Sequence, residues 1–115
     1  MSTTATNPYP DVDLPPGTET YTGWENDSNG TRRIIWGAAS QVDTTQVSLQ
    51  SHAIQLADGS IDVNTEAVGD RPGIAIDEVR DGKIWERLNV TVEGAGALAQ
   101  ALLELADEVE GWSKR

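Results

Sequence analysis

Cysteine and phenylalanine are both absent from this 115-residue chain, and histidine occurs once, as His52. Without cysteine there is no disulfide staple, no thiolate nucleophile, no cysteine-bound zinc and no iron–sulfur cluster. One imidazole also excludes a multi-histidine metal centre. Basic residues are scarce: 8 Lys and Arg stand against 19 Asp and Glu, a formal net charge of -11. Binding to a phosphate backbone or an anionic membrane needs clustered bases, so neither nucleic acid nor membrane is an expected partner. No apolar run approaches the roughly 20 residues of a membrane span, and the first residues lack the basic and apolar stretches of a signal peptide. A cytoplasmic protein with one small hydrophobic core is the expectation.

What is present divides unevenly. The first 31 residues hold Asp11, Asp13, Glu19, Glu25 and Asp27 with no Lys or Arg, and four of the five prolines: Pro8, Pro10, Pro15 and Pro16. Proline fixes φ, removes a backbone donor and holds the preceding residue extended. Residues 1–20 are therefore predicted as an extended or disordered acidic arm, in which Tyr9, Val12 and Leu14 at most pack along a domain edge. Residues 21–115 form the predicted single domain, and residues 32–115 carry 14 acids and all eight bases, a net of -6.

Turn chemistry punctuates that domain. Asn29-Gly30 favours a hairpin bend between a short strand near Tyr21–Glu25 and a first full strand over about 31–39. Val47 and Leu49 sit in the odd register and Ile54 and Leu56 in the even one, which predicts a β-bulge near Ser51-His52 within a strand over 46–56. Asp58-Gly59 and Asp81-Gly82 are further hairpin signals, with strands expected from Ile61, over 74–79 and over 83–90. In the last strand, alternation puts Ile84, Leu88 and Val90 on one face, interrupted by Glu86, with Trp85 and Arg87 on the other.

The C-terminal pattern changes period. Ala95, Leu98, Ala99, Leu102, Leu105, Ala106 and Val109 recur every three or four residues, which predicts an amphipathic helix of about four turns. Thr91 or Glu93 would start it and Gly111 would stop it. An antiparallel sheet of about four or five strands, covered on one face by this helix, gives a two-layer α+β domain. The helix stripe would lie on Ile34 or Ile35, Leu49, Ile54, Ile76, Leu88 and Val90.

Motifs for chemistry are thin. Gly94-Ala95-Gly96 precedes a helix but lacks the βαβ setting of a dinucleotide site. Glu25-x-Asp27-x-Asn29-Gly30 and Asp58-x-Ser60-x-Asp62 share the spacing of calcium-loop oxygens, but the first has Trp36 where the twelfth ligand belongs. Both read as Asp and Asn side chains bonding their own turns. His52 with Ser48, Ser51 or Ser60 makes no assignable triad, and adjacent Asp77 and Glu78 point to opposite faces. Glu86, interrupting an apolar face, would if buried have a raised pKa or a partner such as Arg33 or Arg87. No catalytic residue, metal ligand or cofactor is assigned.

Taken in order, Trp24, Arg33, Trp36-Gly37, Leu56-Ala57-Asp58-Gly59-Ser60-Ile61 and the helix pattern resemble a loose group of small actinobacterial and actinophage proteins of unknown function. The helix match is carried by Ala95, Leu98-Ala99, Ala101-Leu102-Leu103-Glu104 and Ala106-Asp107-Glu108, and the whole spans about residues 24–110. Gly94, Gly96 and the strand at 74–79 depart from the group. The resemblance implies a short antiparallel sheet with a terminal helix, and no activity.

Four tryptophans must supply most of the aromatic bulk, and tryptophan commonly anchors interfaces. Trp85, Trp36, Trp24 and Arg87 are the candidate interaction residues. The reading favoured is a small non-enzymatic interaction or regulatory protein whose partner is another protein or a second copy. Two alternatives stand beside it: an acidic decoy for a nucleic-acid-binding protein, and a small ligand-binding or enzymatic domain. The last would have a sheet–helix or intersubunit pocket near Glu86, His52 or Asp62.

Overall fold

Asp81 and Gly82 both take positive φ, 53° and 76°, the geometry of a two-residue turn whose twist matches antiparallel strands. This turn joins β6 (Gly73–Arg80) to β7 (Lys83–Thr91), with Arg80 opposite Lys83. The computed structural model describes residues 11–27, 30–65 and 68–114. Preceding these two strands are β1 (Thr20–Tyr21), β2 (Glu25–Asp27), β3 (Gly30–Trp36), β4 (Ser40–Gln41) and β5 (Val47–Leu56). Every pairing is antiparallel, in the order β1-β3-β5-β6-β7, with β2 beside β3 and β4 beside β5. A terminal helix, α1 (Val92–Ser113), completes an α+β architecture. Asn29 of the expected first bend lies outside the described residues, although Asp27 does pair with Gly30.

The expected bulge near Ser51-His52 is not formed. β5 runs unbroken, with His52 pairing both Trp36 and Gly73. Its two apolar registers serve opposite faces instead. Residues directly opposed across strands share a face, so Leu49 stands with Ile76 and Leu88, while Ile54 stands with Ile34 on the other side. The helix stripe thus cannot meet Ile34 or Ile54.

The irregularity falls elsewhere. Glu78 pairs with Glu86 but Val79 pairs with Ile84, so Trp85 is an extra residue in β7. Ile84 is thereby carried out of phase with Leu88 and Val90, contrary to simple alternation, which also no longer assigns a face to Trp85. Asp58-Gly59 turns as expected, with Gly59 at φ 91°, but its return consists of one bridge between Gln55 and Ile61 rather than a strand.

Two features place α1. Gly73 lies where β6 starts and β7 ends, and a Cβ there would collide with the Val90 carbonyl. Thr91 caps the helix, its hydroxyl accepting from the Gly94 amide at 3.1 Å. The helix starts at Val92 and passes Gly111 to Ser113, 22 residues or about six turns rather than four. Nothing on it is buried. Its first turns face β6 and β7, and Leu102, Leu105 and Val109 remain 58%, 57% and 50% exposed.

Sheet burial is correspondingly modest: Ile35, Ile54 and Ala75 are the buried apolar residues among those described. Buried beside them are Arg33, Gln55 and Asp77. Arg33 Nε donates to Gln55 Oε1 at 2.8 Å and its Nη2 donates to the Val12 carbonyl at 3.1 Å. Gln55 Nε2 donates to the carbonyls of Asp13 and Gly59 at 2.8 and 3.1 Å. Residues 12 and 13 are thereby tied to the sheet across more than twenty positions of sequence. Tyr9 of the arm lies outside the described residues.

Candidate functional site

Two surfaces offer more than a packed sheet. One is a cleft on the face of Ile34 and Ile54, about 180 Å³ in volume, reached by Trp36, His52, Asp70, Arg87 and Asn89. Alternation on β5 and β7 points His52, Arg87 and Asn89 to the same side. Asp77, on the same face of β6, is buried and held by Arg87 through Nε to Oδ1 at 2.7 Å and Nη2 to Oδ2 at 2.9 Å. This two-pronged contact raises the Arg87 pKa further. Burial, then the Arg87 charge, holds the His52 pKa below its ordinary value, against the opposing pulls of Asp70 and of a hydrogen bond with Asn89. His52 Nε2 is buried with no hydrogen-bond partner among the described residues.

The chemistry available there is limited by what the strands bring together. Ser51 neighbours His52 in the strand and therefore faces away from it. Ser60 donates from both its amide and its hydroxyl to Asp58 Oδ1, at 2.9 and 2.5 Å. These bonds lower the Asp58 pKa. Asp62 accepts the Asn64 amide at 3.0 Å, so both acids of the calcium-like spacing are engaged in turns. The side chain of Asp27 and all of Asn29, from the other such spacing, lie outside the described residues. Glu86 is exposed on the edge strand opposite Glu78, and neither proposed arginine reaches it, since Arg33 binds Gln55 and Arg87 binds Asp77. Among the described residues no three acidic or histidine side chains converge as metal ligands would.

The second surface is an open apolar groove of about 590 Å³ between the sheet and α1. Leu49, Ile74, Ile76 and Val90 form its sheet wall, and Ala95, Leu98, Ala99 and Leu102 its helix wall. Beyond Leu102 the helix carries the same stripe into solvent through Leu105, Val109 and Trp112, the last 60% exposed. No helix among the described residues is long and apolar enough to cross a membrane.

The four singled-out interaction residues do not gather in one place. Trp24 is half-buried under the Arg33 guanidinium, which lies 4.3 Å from its ring centre and 5.1 Å from that of Tyr21. The stacked cation ties Trp24 to β3 of the sheet. Trp36 and Arg87 line the His52 cleft. Trp85 is exposed at the far hairpin, with the Arg80 guanidinium 5.1 Å from its ring centre.

Sequence reasoning assigned Leu102, Leu105 and Val109 to the core and so missed them as surface. One signal distinguished them. Ala95, Leu98, Leu102, Leu105, Val109 and Trp112 are spaced three, four, three, four and three, a seam that continues past Gly111. Comparison with family models, with curated proteins and with solved structures returns no match for this chain.

Proposed function

We propose that this protein acts through protein–protein contact rather than catalysis, using the apolar seam of α1 and the groove beside it. The observation that carries this reading is a six-turn helix on which no residue is buried, although leucine, valine and tryptophan line one side. Exposed apolar surface of this extent costs free energy in water and marks association surfaces. A small sheet supplies the platform, and the helix presents the contact residues away from it. The His52 cleft supports a weaker case, because Arg87, the base that lines it, is already held by Asp77.

The test is capture by the immobilised full chain, compared with Leu105→Asp. Leu105 is more than half exposed, so the substitution leaves the chain's own packing intact. At least a tenfold loss of captured protein is expected, since a charge buried at an apolar contact costs well over 1.4 kcal/mol. Apolar contact should also persist from roughly 50 to 500 mM salt, whereas an acidic decoy would release a basic partner over that range. Capture that ignores Leu105 and disappears with salt would replace this reading with the decoy.

A further inference from the structure

We infer that the occupant of the groove is a second copy of this chain, with its α1 running antiparallel to the α1 that forms the groove wall. This inference rests on the contact reading above and names its partner.

Charge along α1 is divided by halves. After Glu93 in the first turn, residues 94–103 contain no charged side chain, whereas Glu104, Asp107, Glu108 and Glu110 follow without a base before Lys114. A parallel pair would set acid beside acid, a destabilising arrangement. An antiparallel pair sets each acidic half against a neutral half, and brings each negative helix end toward a positive one.

Side-chain size is divided in the same way. The neutral half is built from Gly94, Ala95, Gly96, Ala97, Ala99 and Ala101 around Leu98, while the acidic half presents Leu105, Val109 and Trp112. Setting Leu102 against Leu105 of the second copy brings Leu98 to Val109 and Ala95 to Trp112. The smallest residue of the seam then receives the largest, the interdigitation close packing requires. This is also a pairing of positions three and four apart, as in coiled-coil seams.

Area and closure agree with this arrangement. Leu102, Leu105, Val109 and Trp112 of the seam are each at least half exposed. With the groove walls they can supply on the order of 800 Å², one partner's share of a standard interface. One two-fold axis fills both grooves and covers both seams, so the contact closes at a dimer. An unrelated partner would fill the groove but has no reason to match the division of charge and size along the same helix.

The absence of cysteine makes the geometry directly readable. Leu98→Cys and Val109→Cys are made singly and together in the full chain and oxidised gently. Within one helix these positions are about 16 Å apart along the axis, too far to bridge. The double variant is expected to form a covalent dimer on a non-reducing gel, and neither single variant is. Cross-linking of a single variant would mean parallel or unordered helices and overturn the inference.

Light scattering of the unaltered protein at about 100 μM, above the micromolar range of weak standard interfaces, should give twice 12.4 kDa. A monomer there rejects the second copy. If that monomer still captures another protein in a Leu105-dependent way, the contact reading survives without this inference. If it captures none, both fall.

Discussion

At the β3–β5 end of the sheet a guanidinium and an amide are buried, while along α1 a row of leucines and a tryptophan stands in water. Gln55 has no exposed surface, and each polar group of its side chain is used: Oε1 accepts from Arg33, and Nε2 donates to two carbonyls. Leu105 and Trp112 lie more than half exposed on a helix that buries nothing. The contrast separates two uses of a side chain. Polar groups can be interior when every donor and acceptor is matched, and they then fix where distant segments meet. Apolar groups can be exterior when their burial is deferred to association.

The sharpest way to break that contrast is to remove the buried amide. Gln55→Ala removes the acceptor of Arg33 Nε and leaves the carbonyls of Asp13 and Gly59 without this donor. Loss of about 3 kcal/mol is expected, because buried polar groups then carry their full desolvation cost. Urea unfolding followed by tryptophan fluorescence measures it, and a loss under about 1 kcal/mol would show that the cluster is not an anchor. Arg87→Ala should come next. It leaves a carboxylate on Asp77, whose side chain is 5% exposed, but Arg87 itself is 43% exposed, so water already screens part of the pair. About 2 kcal/mol is expected in the same assay, with Asp77→Ala costing less because the freed guanidinium can turn to solvent. Equal losses from the two variants would contradict this ordering.

Much of the sheet was legible because its turns are written locally. Asp81-Gly82 and Asp58-Gly59 specify bends through the backbone angles these residues tolerate, whatever surrounds them. The period of α1 was equally clear. What could not be read was which surface each pattern meets. Leu49 and Ile54 look like one strand with a slip, yet they are a regular strand with apolar residues on both faces, since alternation alone does not reveal a second apolar face. The anchoring of Arg33 depends on the carbonyl of residue 12, and a backbone acceptor has no sequence signature. Hydrophobic period reports that a stripe will avoid water. It does not distinguish a core inside the chain from an interface between chains.

A smaller effect, dependent on pH, should come from His52 on the opposite face. Burial and Arg87 hold its folded pKa below the ordinary 6.5. As pH falls past 6.5 the unfolded chain takes up the proton before the folded chain does, so unfolding is favoured. The stability linked to neutral His52 is therefore full above 6.5 and is lost progressively as pH drops through that value toward the folded pKa. Thermal midpoints between roughly pH 5.5 and 7.5, above the ordinary carboxylate range, should decline toward acid in the unaltered chain. His52→Gln should flatten that slope, and an unchanged slope would assign it to other groups.

The smallest effect on the folded chain itself should come from the residue whose change matters most for contact. Leu105→Asp in a dilute monomer removes little packing, because that side chain is 57% exposed on a helix with no buried residue. Its urea midpoint should match the unaltered chain to within about 0.5 kcal/mol. At higher concentration the two should diverge, since association stabilises only the chain that can pair, and the unaltered midpoint should rise with concentration while the variant's stays fixed. Concentration-independent midpoints for both chains would remove self-association from the stability of this protein. A dilute variant that unfolds early would instead place Leu105 in the chain's own core, and the contrast between a polar interior and an apolar exterior would fail at its apolar half.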